Sequence, residues 1–254
     1  CDNLASQNCS RGRLYRDLLR LTEHCVVPSQ SMAELAQPYV SSRTPISVIE
    51  DPWQVREQPY SNFNPSEQLR ITWFGNTSNI FYVAAQIRTL MITVDQVDSI
   101  ELVILSSKKA LEIVNKAFSE GLPFARSNWS LRLVEWDHEN QPKQLEDVLG
   151  SSHFVWIPSN PHDALKAGVS HNRLIDSVRS GCIPVASEMP SYIEMSKLAL
   201  IGPDHGNLIN LAVPQYNRLI RKYKDSRAIE TERFSPIRNH RRWLDLLSSL
   251  TQKC

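Results

Sequence analysis

The sequence contains no apolar run long enough to cross a membrane, since none approaches the roughly 18 consecutive residues that a spanning helix needs. It also lacks the N-terminal pattern of a secretory signal peptide. Its five cysteines are scattered and form no CxxC pair, which argues against a disulfide framework and against a zinc site. We therefore expect a reducing, cytoplasmic location.

No charge of either sign dominates the chain, and the formal net charge is +1 at pH 7. This balance gives no support to nucleic-acid binding. The chain has only 8 glycines, and neither GxGxxG nor a P-loop occurs. The 7 histidines are dispersed and no Asp-x-Asp pair is present, so the sequence predicts no metal site and no cofactor. Paired catalytic carboxylates and a GxSxG motif are also missing.

The chain begins with cysteine, and its first methionine is Met32. We therefore expect a piece of a longer protein, whose function needs parts outside the 254 residues. A chain of this length can still bury roughly 70–75% of its unfolded surface. Its contents of 41% hydrophobic and 22% charged residues are ordinary for a globular protein.

Apolar runs of strand length alternate with stretches of helical periodicity along most of the chain. This alternation predicts an α/β fold with a doubly wound parallel sheet and helices on both faces. Ligands of such sheets bind beyond the C-terminal ends of the strands. The predicted strands are residues 69–74, 101–105, 131–136, 154–157, 183–186 and 198–201.

The residues before the predicted sheet indicate a second, smaller folded unit and a linker that joins it to the sheet. Residues 1–50 contain two helices and two short strands, and we expect them to pack separately as the remnant of a second α/β domain. Their first helix, predicted over 13–23, carries Leu14, Leu18 and Leu21 on one side. Residues 51–68 contain three prolines and no periodicity, which is typical of a linker. One long helix is predicted from 207 to about 224.

Residues 154–187 form the centre of the candidate site and are predicted to be strand, loop, helix and strand. Ser170 is predicted to cap the helix and Gly181 to end it. At about 100° per residue, the polar side chains of this helix fall on one face and the apolar ones on the other. The polar face comprises Asn172, Arg173 and Asp176.

The start of this helix is a candidate phosphate-binding site. Free N–H groups at a helix start attract anions, and Lys166 and Arg173 would add positive charge there. The alternative is a solvated face with an ion pair between Arg173 and Asp176, and on spacing alone this is the commoner arrangement.

A second loop, WFGNTSN at residues 73–79, lies between a strand and a helix. Gly75 would let the backbone approach a phosphate, and Asn76 and Asn79 would offer N–H and amide donors. The alternative is an ordinary turn.

Cations are concentrated near the C-terminus, where they usually form only a solvated face. A second interpretation is weak contact with anionic lipid at the inner face of a membrane. The cations are Arg218, Arg221, Lys222, Lys224, Arg227, Arg238, Arg241 and Arg242.

Three stretches in this order resemble the GT-B glycosyltransferases, and within them the large retaining family of bacterial-type sugar transferases. The resemblance implies that residues 1–50 end an acceptor-side N-terminal domain and that residues 69–234 form a nucleotide-sugar-binding domain. It also implies that residues 235–254 are the helix that crosses back. The stretches are VVPSQSMAEL with ISVIEDP (26–35 and 46–52), LRITWFGNTSN (69–79) and KAGVSHNRLIDSVRSGCIPVASEMPSYIE (166–194).

The chain departs from the family pattern at two places. Many members carry two glutamates, the second of them five residues before a glycine. Asp176 stands five residues before Gly181 and keeps a carboxylate, whereas the place of the first glutamate falls on Gly168. The usual Arg and Lys after the first strand are absent from GNTSN.

The implied reaction is transfer of a sugar from a nucleotide-diphosphate donor to an acceptor, without metal and with retention of configuration. Lys166 and Arg173 would stabilise the leaving diphosphate. The nucleotide base, the sugar and the acceptor stay open, and the alternatives are a sugar-nucleotide epimerase or a non-catalytic sugar-nucleotide-binding or partner-docking module. The nucleotide-sugar-binding residues implied are Gly75, Asn76, Asn79, Ser159, Ser170, Asn172 and Asp176.

Overall fold

The computed structural model describes residues 3–64 and 67–251. Within them the chain forms two separate parallel sheets, one of two strands and one of six. The first unit, residues 3–50, contains a 3-10 turn (Leu4–Ser6), α1 (Ser10–Leu21), β1 (Cys25–Val27), α2 (Gln30–Ala36) and β2 (Ile46–Val48).

The second unit alternates strands and helices. Its elements are β3 (Leu69–Phe74), α3 (Ile80–Thr93), β4 (Ser99–Ser106), α4 (Lys108–Gly121), β5 (Asn128–Glu135), α5 (Gln141–Gly150), β6 (Phe154–Ile157), α6 (Asn172–Arg179), β7 (Ile183–Ala186), α7 (Pro190–Ile193), β8 (Leu200–Ile201), α8 (His205–Ala212), α9 (Tyr216–Thr231) and α10 (Pro236–Thr251). Short 3-10 turns lie at Thr77–Asn79, Leu122–Phe124, Val213–Gln215 and Glu232–Phe234.

The six strands run parallel in the order β5-β4-β3-β6-β7-β8, which confirms the predicted doubly wound α/β fold. The strand order reverses between β3 and β6, where Ile71 pairs with Phe154. A crevice therefore opens at the C-terminal ends of these two strands, the usual ligand position in such sheets. All four residues of β6 and all but Arg70 and Thr72 of β3 are buried and apolar, because helices cover both faces of the sheet.

The first unit has its own small core of Cys25, Val27, Met32 and Ala36. Among the described residues, β1 and β2 pair only with each other, so this unit does not extend the six-stranded sheet. The side of α1 that carries Leu14, Leu18 and Leu21 faces solvent, with exposed fractions of 56%, 55% and 81%. The division of the chain into an acceptor-side remnant and a nucleotide-sugar domain stays a prediction.

Residues 51–64 have no regular secondary structure, as expected of a connection, but they are packed rather than extended freely. Val55 and Phe63 are buried in the core of the second unit. Gln58 N–H donates to the Arg179 carbonyl at 2.8 Å. The predicted linker continues to residue 68. Its residues 65 and 66 lie outside the described residues.

Two predictions about helices are wrong. The single long helix from 207 is in fact α8 and α9, because Pro214 lacks an N–H and interrupts the hydrogen-bond pattern at the turn Val213–Gln215. Ser170 does not cap α6. That helix begins at Asn172, and His171 holds the cap position without a side-chain cap bond.

The C-terminal cations do not all lie on one solvent-exposed surface. Arg227 is buried and pairs with Glu57 at 2.7 Å, and Arg242 bonds to Glu50. The remaining six cations of the group are exposed, so lipid contact by them stays a prediction. No helix of the described residues is long and apolar enough to cross a bilayer.

Gly181 ends α6 as predicted, and we expect Gly181→Ala to destabilise the fold strongly. Its φ of 77° is unfavourable for alanine, and an added Cβ would lie 2.3 Å from the Pro59 carbonyl oxygen. We expect a loss of at least about 2 kcal/mol in the free energy of unfolding, measured by urea denaturation. Gly202→Ala, whose nearest contact is the Leu208 side chain at 3.2 Å, is the control. Equal stability of the two variants would contradict the prediction.

Candidate functional site

Two adjoining cavities of about 230 and 570 Å³ lie at the C-terminal ends of β3 and β6, and we call them together the cleft. They share Asn76, Asn79, Asn172 and Arg173. The smaller cavity adds Ser159, Lys166 and Ser170, and the larger adds Gly75 and Asp176. All nine candidate residues of the sequence therefore line one cleft, whereas their roles stay predictions.

The start of α6 carries the polar groups at the centre of the cleft. The opposite face of the helix, with Leu174, Ile175 and Val178, is fully buried against the sheet, which fixes the direction of the polar face. Arg173 Nη2 donates to the Tyr192 hydroxyl at 3.5 Å, a long bond. Arg173 Nη1 and Asn172 Oδ1 are buried and have no hydrogen-bond partner among the described residues.

Asp176 lies one turn further along α6 and is only 2% exposed. Its Oδ1 accepts the Gln54 N–H at 2.8 Å. Burial raises the pKa of this carboxyl to about 6, although backbone N–H groups of Gln54 and Val55 and the charge of Arg179 act in the opposite direction. Among the described ion pairs none joins Arg173 to Asp176, so the surface ion pair considered from spacing is not formed.

The Gly75 turn forms the wall opposite α6. The Gly75 carbonyl accepts bonds from Ser106 Oγ at 2.7 Å and Trp136 Nε1 at 3.4 Å, which tie the turn to the ends of β4 and β5. Asn76 Oδ1 accepts the Ser78 N–H at 3.0 Å and so caps the following 3-10 turn. The Asn76 side-chain oxygen therefore shapes the loop.

Residues 160–170, which we call the Lys166 loop, connect β6 to α6. Lys166 lines the smaller cavity and is only 6% exposed. Asp163 organises the loop: its Oδ1 accepts the Leu165 N–H at 2.9 Å, and its Oδ2 accepts a bond from the Tyr82 hydroxyl at 2.7 Å. The position of Lys166 is therefore tied to α3.

A buried network fixes the residue before this loop. Ser159 N–H donates to Ser187 Oγ at 2.8 Å, and Ser187 Oγ donates to the Ser159 carbonyl at 3.0 Å. His205 Nε2 lies 3.3 Å from Ser187 Oγ, while its Nδ1 accepts the Trp156 indole N–H at 2.9 Å. Burial lowers the pKa of His205 to about 4, so the ring is neutral at pH 7 with its proton on Nε2. Ser159 is held in place by core residues.

Several residues of the cleft escaped the sequence analysis. Tyr192, on α7, reaches Arg173 from a helix with no chemical motif of its own. Gln54 comes from the connecting segment, where no pattern predicts a contact. Trp136 directly follows β5; the sequence places it at a C-terminal strand end, where ligands of such sheets bind, but no site role was predicted for it.

The described residues contain no group of three His, Cys, Asp or Glu side chains placed to hold a metal ion. The polar groups of the cleft are amides, hydroxyls, the cations Lys166 and Arg173, the Asp176 carboxyl and the His138 ring.

No known family profile and no curated protein sequence matches the chain, whereas solved structures match its fold. HepE from Anabaena, in complex with UDP, superposes with a TM-score of 0.67 at 12% identity, over 98% of this chain and 70% of that one. Sucrose-phosphate synthase from Thermosynechococcus elongatus gives 0.66 at 12% identity over 98% and 64%. TarM gives 0.62 at 13% identity over 96% and 48%. These are GT-B glycosyltransferases, and the predicted GT-B fold is confirmed. The chain spans between 48% and 70% of their length.

The raised pKa of Asp176 predicts a specific pH dependence of stability. Because the folded pKa of about 6 exceeds the ordinary 3.8, the folded state binds more protons between these values, and stability falls as pH rises through this window. The total loss is roughly 2–3 kcal/mol. Asp176→Asn keeps an acceptor for the Gln54 N–H but cannot ionise, so its stability should not fall in this way.

Urea denaturation from pH 4 to 7 measures the difference between wild type and Asp176→Asn. Asp98→Asn, which removes a carboxyl from an exposed turn, is the control and should run parallel to wild type. The raised pKa of Asp176 would be contradicted if the difference in unfolding free energy between wild type and Asp176→Asn does not change with pH. It would also be contradicted if wild type gains stability relative to the variant as pH rises.

Proposed function

We propose that the cleft binds a nucleoside-diphosphate sugar and that the chain is the donor-binding part of a glycosyltransferase. One observation carries the proposal: Arg173 Nη1 and Asn172 Oδ1 are buried without partners in a cleft that Lys166 also lines. A buried polar group without a partner costs about 1–3 kcal/mol, so a ligand that supplies the missing bonds would recover this free energy. The UDP complex of HepE, with the same fold, supports a nucleotide as that ligand.

The diphosphate would lie in the smaller cavity, between Lys166 and the start of α6. The departing diphosphate gains negative charge in the transition state, and fixed cations with N–H donors stabilise that charge more than the ground state. One well-placed donor of this kind lowers the activation barrier by about 2.7–4 kcal/mol. In this proposal Lys166, Arg173 and the backbone N–H groups at the start of α6 do this without a metal ion.

The nucleoside would occupy the larger cavity. Asp176 would accept hydrogen bonds from the ribose hydroxyls with its ionised carboxylate. The neighbouring wall is apolar, and the base would pack there against Phe74, Trp136 and Leu145.

A second candidate function, non-catalytic binding of a sugar nucleotide, is favoured by Gly168. This residue stands where the family resemblance places an acid. A Cβ added at Gly168 would lie 2.7 Å from the Met32 methyl group, so this position is packed against the first unit. Turnover decides between the two: a transferase releases nucleoside diphosphate from the bound donor, whereas a binding module leaves the donor intact.

We expect Arg173→Ala to weaken binding of nucleoside diphosphates much more than binding of nucleosides. Loss of a charged hydrogen bond costs about 1.5–3 kcal/mol, which corresponds to roughly a 10- to 150-fold higher Kd. Calorimetric titration with ADP, GDP and UDP, and with the matching nucleosides, measures this selectivity. EDTA in a parallel series tests the absence of a metal requirement.

Arg218→Ala is the matched control, because it removes one cation from the exposed face of α9. It should leave all affinities within about twofold. Equal losses of diphosphate and nucleoside affinity in Arg173→Ala would show that Arg173 does not contact the diphosphate. No binding of any of the three diphosphates to the wild-type chain would contradict the proposed function itself.

A further inference from the structure

The Lys166 loop is held from the side of the first unit as well as from α3. Asn3 N–H donates to the Leu165 carbonyl at 2.7 Å. Three residues further on, Gly168 lies directly against Met32 of α2, and a Cβ added there would meet Met32 Cε at 2.7 Å, Sδ at 2.9 Å and Cβ at 3.1 Å. The loop that carries Lys166 is therefore packed between the two units.

Met32, which lies against Gly168, is held in place by its surroundings. It belongs to the small core of the first unit and is mostly buried. Its backbone N–H donates to the Ser29 side chain at 3.1 Å, which caps α2. The two atoms that an added Cβ would meet within 3.0 Å, Met32 Cε and Sδ, belong to the flexible end of the side chain, whereas Met32 Cβ at 3.1 Å would stay a tight contact after that end rotates.

The residue before Met32 is linked through Glu194 to His171, which directly follows the Lys166 loop. Ser31 Oγ donates to Glu194 Oε1 at 3.0 Å. Glu194 Oε2 lies 3.4 Å from Nε2 of His171, the residue in the cap position of α6. Two consecutive residues of α2 thus bear on the segment from Lys166 to Arg173, Met32 directly at Gly168 and Ser31 through Glu194 at His171.

We infer that α2 of the first unit is a positioning element of the nucleotide site, and that Met32, through its contact with Gly168, sets the distance between Lys166 and the start of α6. The inference rests on the proposed function. Gly168 lies between Lys166 and Asn172 in the chain, so a displacement there moves the cation relative to the helix start. The nucleoside half of the cleft, which lies near Trp136, is outside the Lys166 loop.

A size series at position 168 tests this inference with the whole chain. The backbone at Gly168 has no positive φ, so Ala and Val are compatible with it and differ only in the space they need. Gly168→Ala and Gly168→Val should raise the Kd of the diphosphate that binds wild type most tightly among ADP, GDP and UDP. We expect at least a tenfold rise for Val, a smaller rise for Ala, and nucleoside affinity within about twofold of wild type.

A compensating substitution at Met32 distinguishes a positioning effect from a general loss of folding. Met32→Ala removes the two closest atoms, Cε and Sδ, and leaves only the Cβ contact at 3.1 Å. The double variant Gly168→Ala/Met32→Ala should therefore return the diphosphate Kd to within about threefold of wild type. Gly121→Ala is the matched control, because its Cβ would meet another methionine, Met91, with Sδ at 3.0 Å, far from the loop. That variant should show no selective loss of diphosphate affinity.

Hydrogen–deuterium exchange of residues 160–170 gives a readout that needs no ligand. Exchange should increase in Gly168→Val and return toward the wild-type rate in Gly168→Ala/Met32→Ala. Three results would each overturn the inference. Gly168→Val could bind the diphosphate as tightly as wild type, or it could lose nucleoside and diphosphate affinity equally. The double variant could also fail to recover diphosphate affinity. If wild type binds none of the three diphosphates, the proposed function fails instead, and the exchange rates decide whether α2 holds the loop.

Discussion

The contact between α6 and residues 51–64 is the constraint on which the cleft depends. Asp176 accepts the Gln54 N–H from within the core, and a carboxylate at that depth is tolerated only because backbone donors reach it. The same helix presents Asn172 and Arg173 to the cleft. The connecting segment is therefore part of the site, and it places the first unit beside the Lys166 loop rather than on a free tether.

Much of the sheet could be predicted from the sequence, because strands buried on both faces form short, mainly apolar runs. The bounds of β3, β6 and β7 agree with the predicted ones, and glycine or proline marks where two of these runs stop. The break between α8 and α9 was also visible in principle, since Pro214 lies inside the helical pattern. Periodicity identified the apolar side of α1, but it says nothing about what covers such a side.

The candidate residues of the cleft were predictable for a topological reason. Parallel strands bring all their C-terminal ends to one edge, so Gly75 and Ser159 had to lie near one another once the fold was known. The contacts of Gln54 with Asp176 and of Met32 with Gly168 were not predictable. They join segments that are distant in the chain, and neither segment has a pattern that names its partner.

The unpartnered atoms of Asn172 and Arg173 also bear on how such a protein evolves. A buried polar group of this kind costs the fold roughly 1–3 kcal/mol unless a partner satisfies it. Selection for folding alone would replace both side chains with apolar residues of similar shape, since these carry no such penalty. A screen that selects only for thermostability should therefore favour apolar replacements of Asn172 and Arg173.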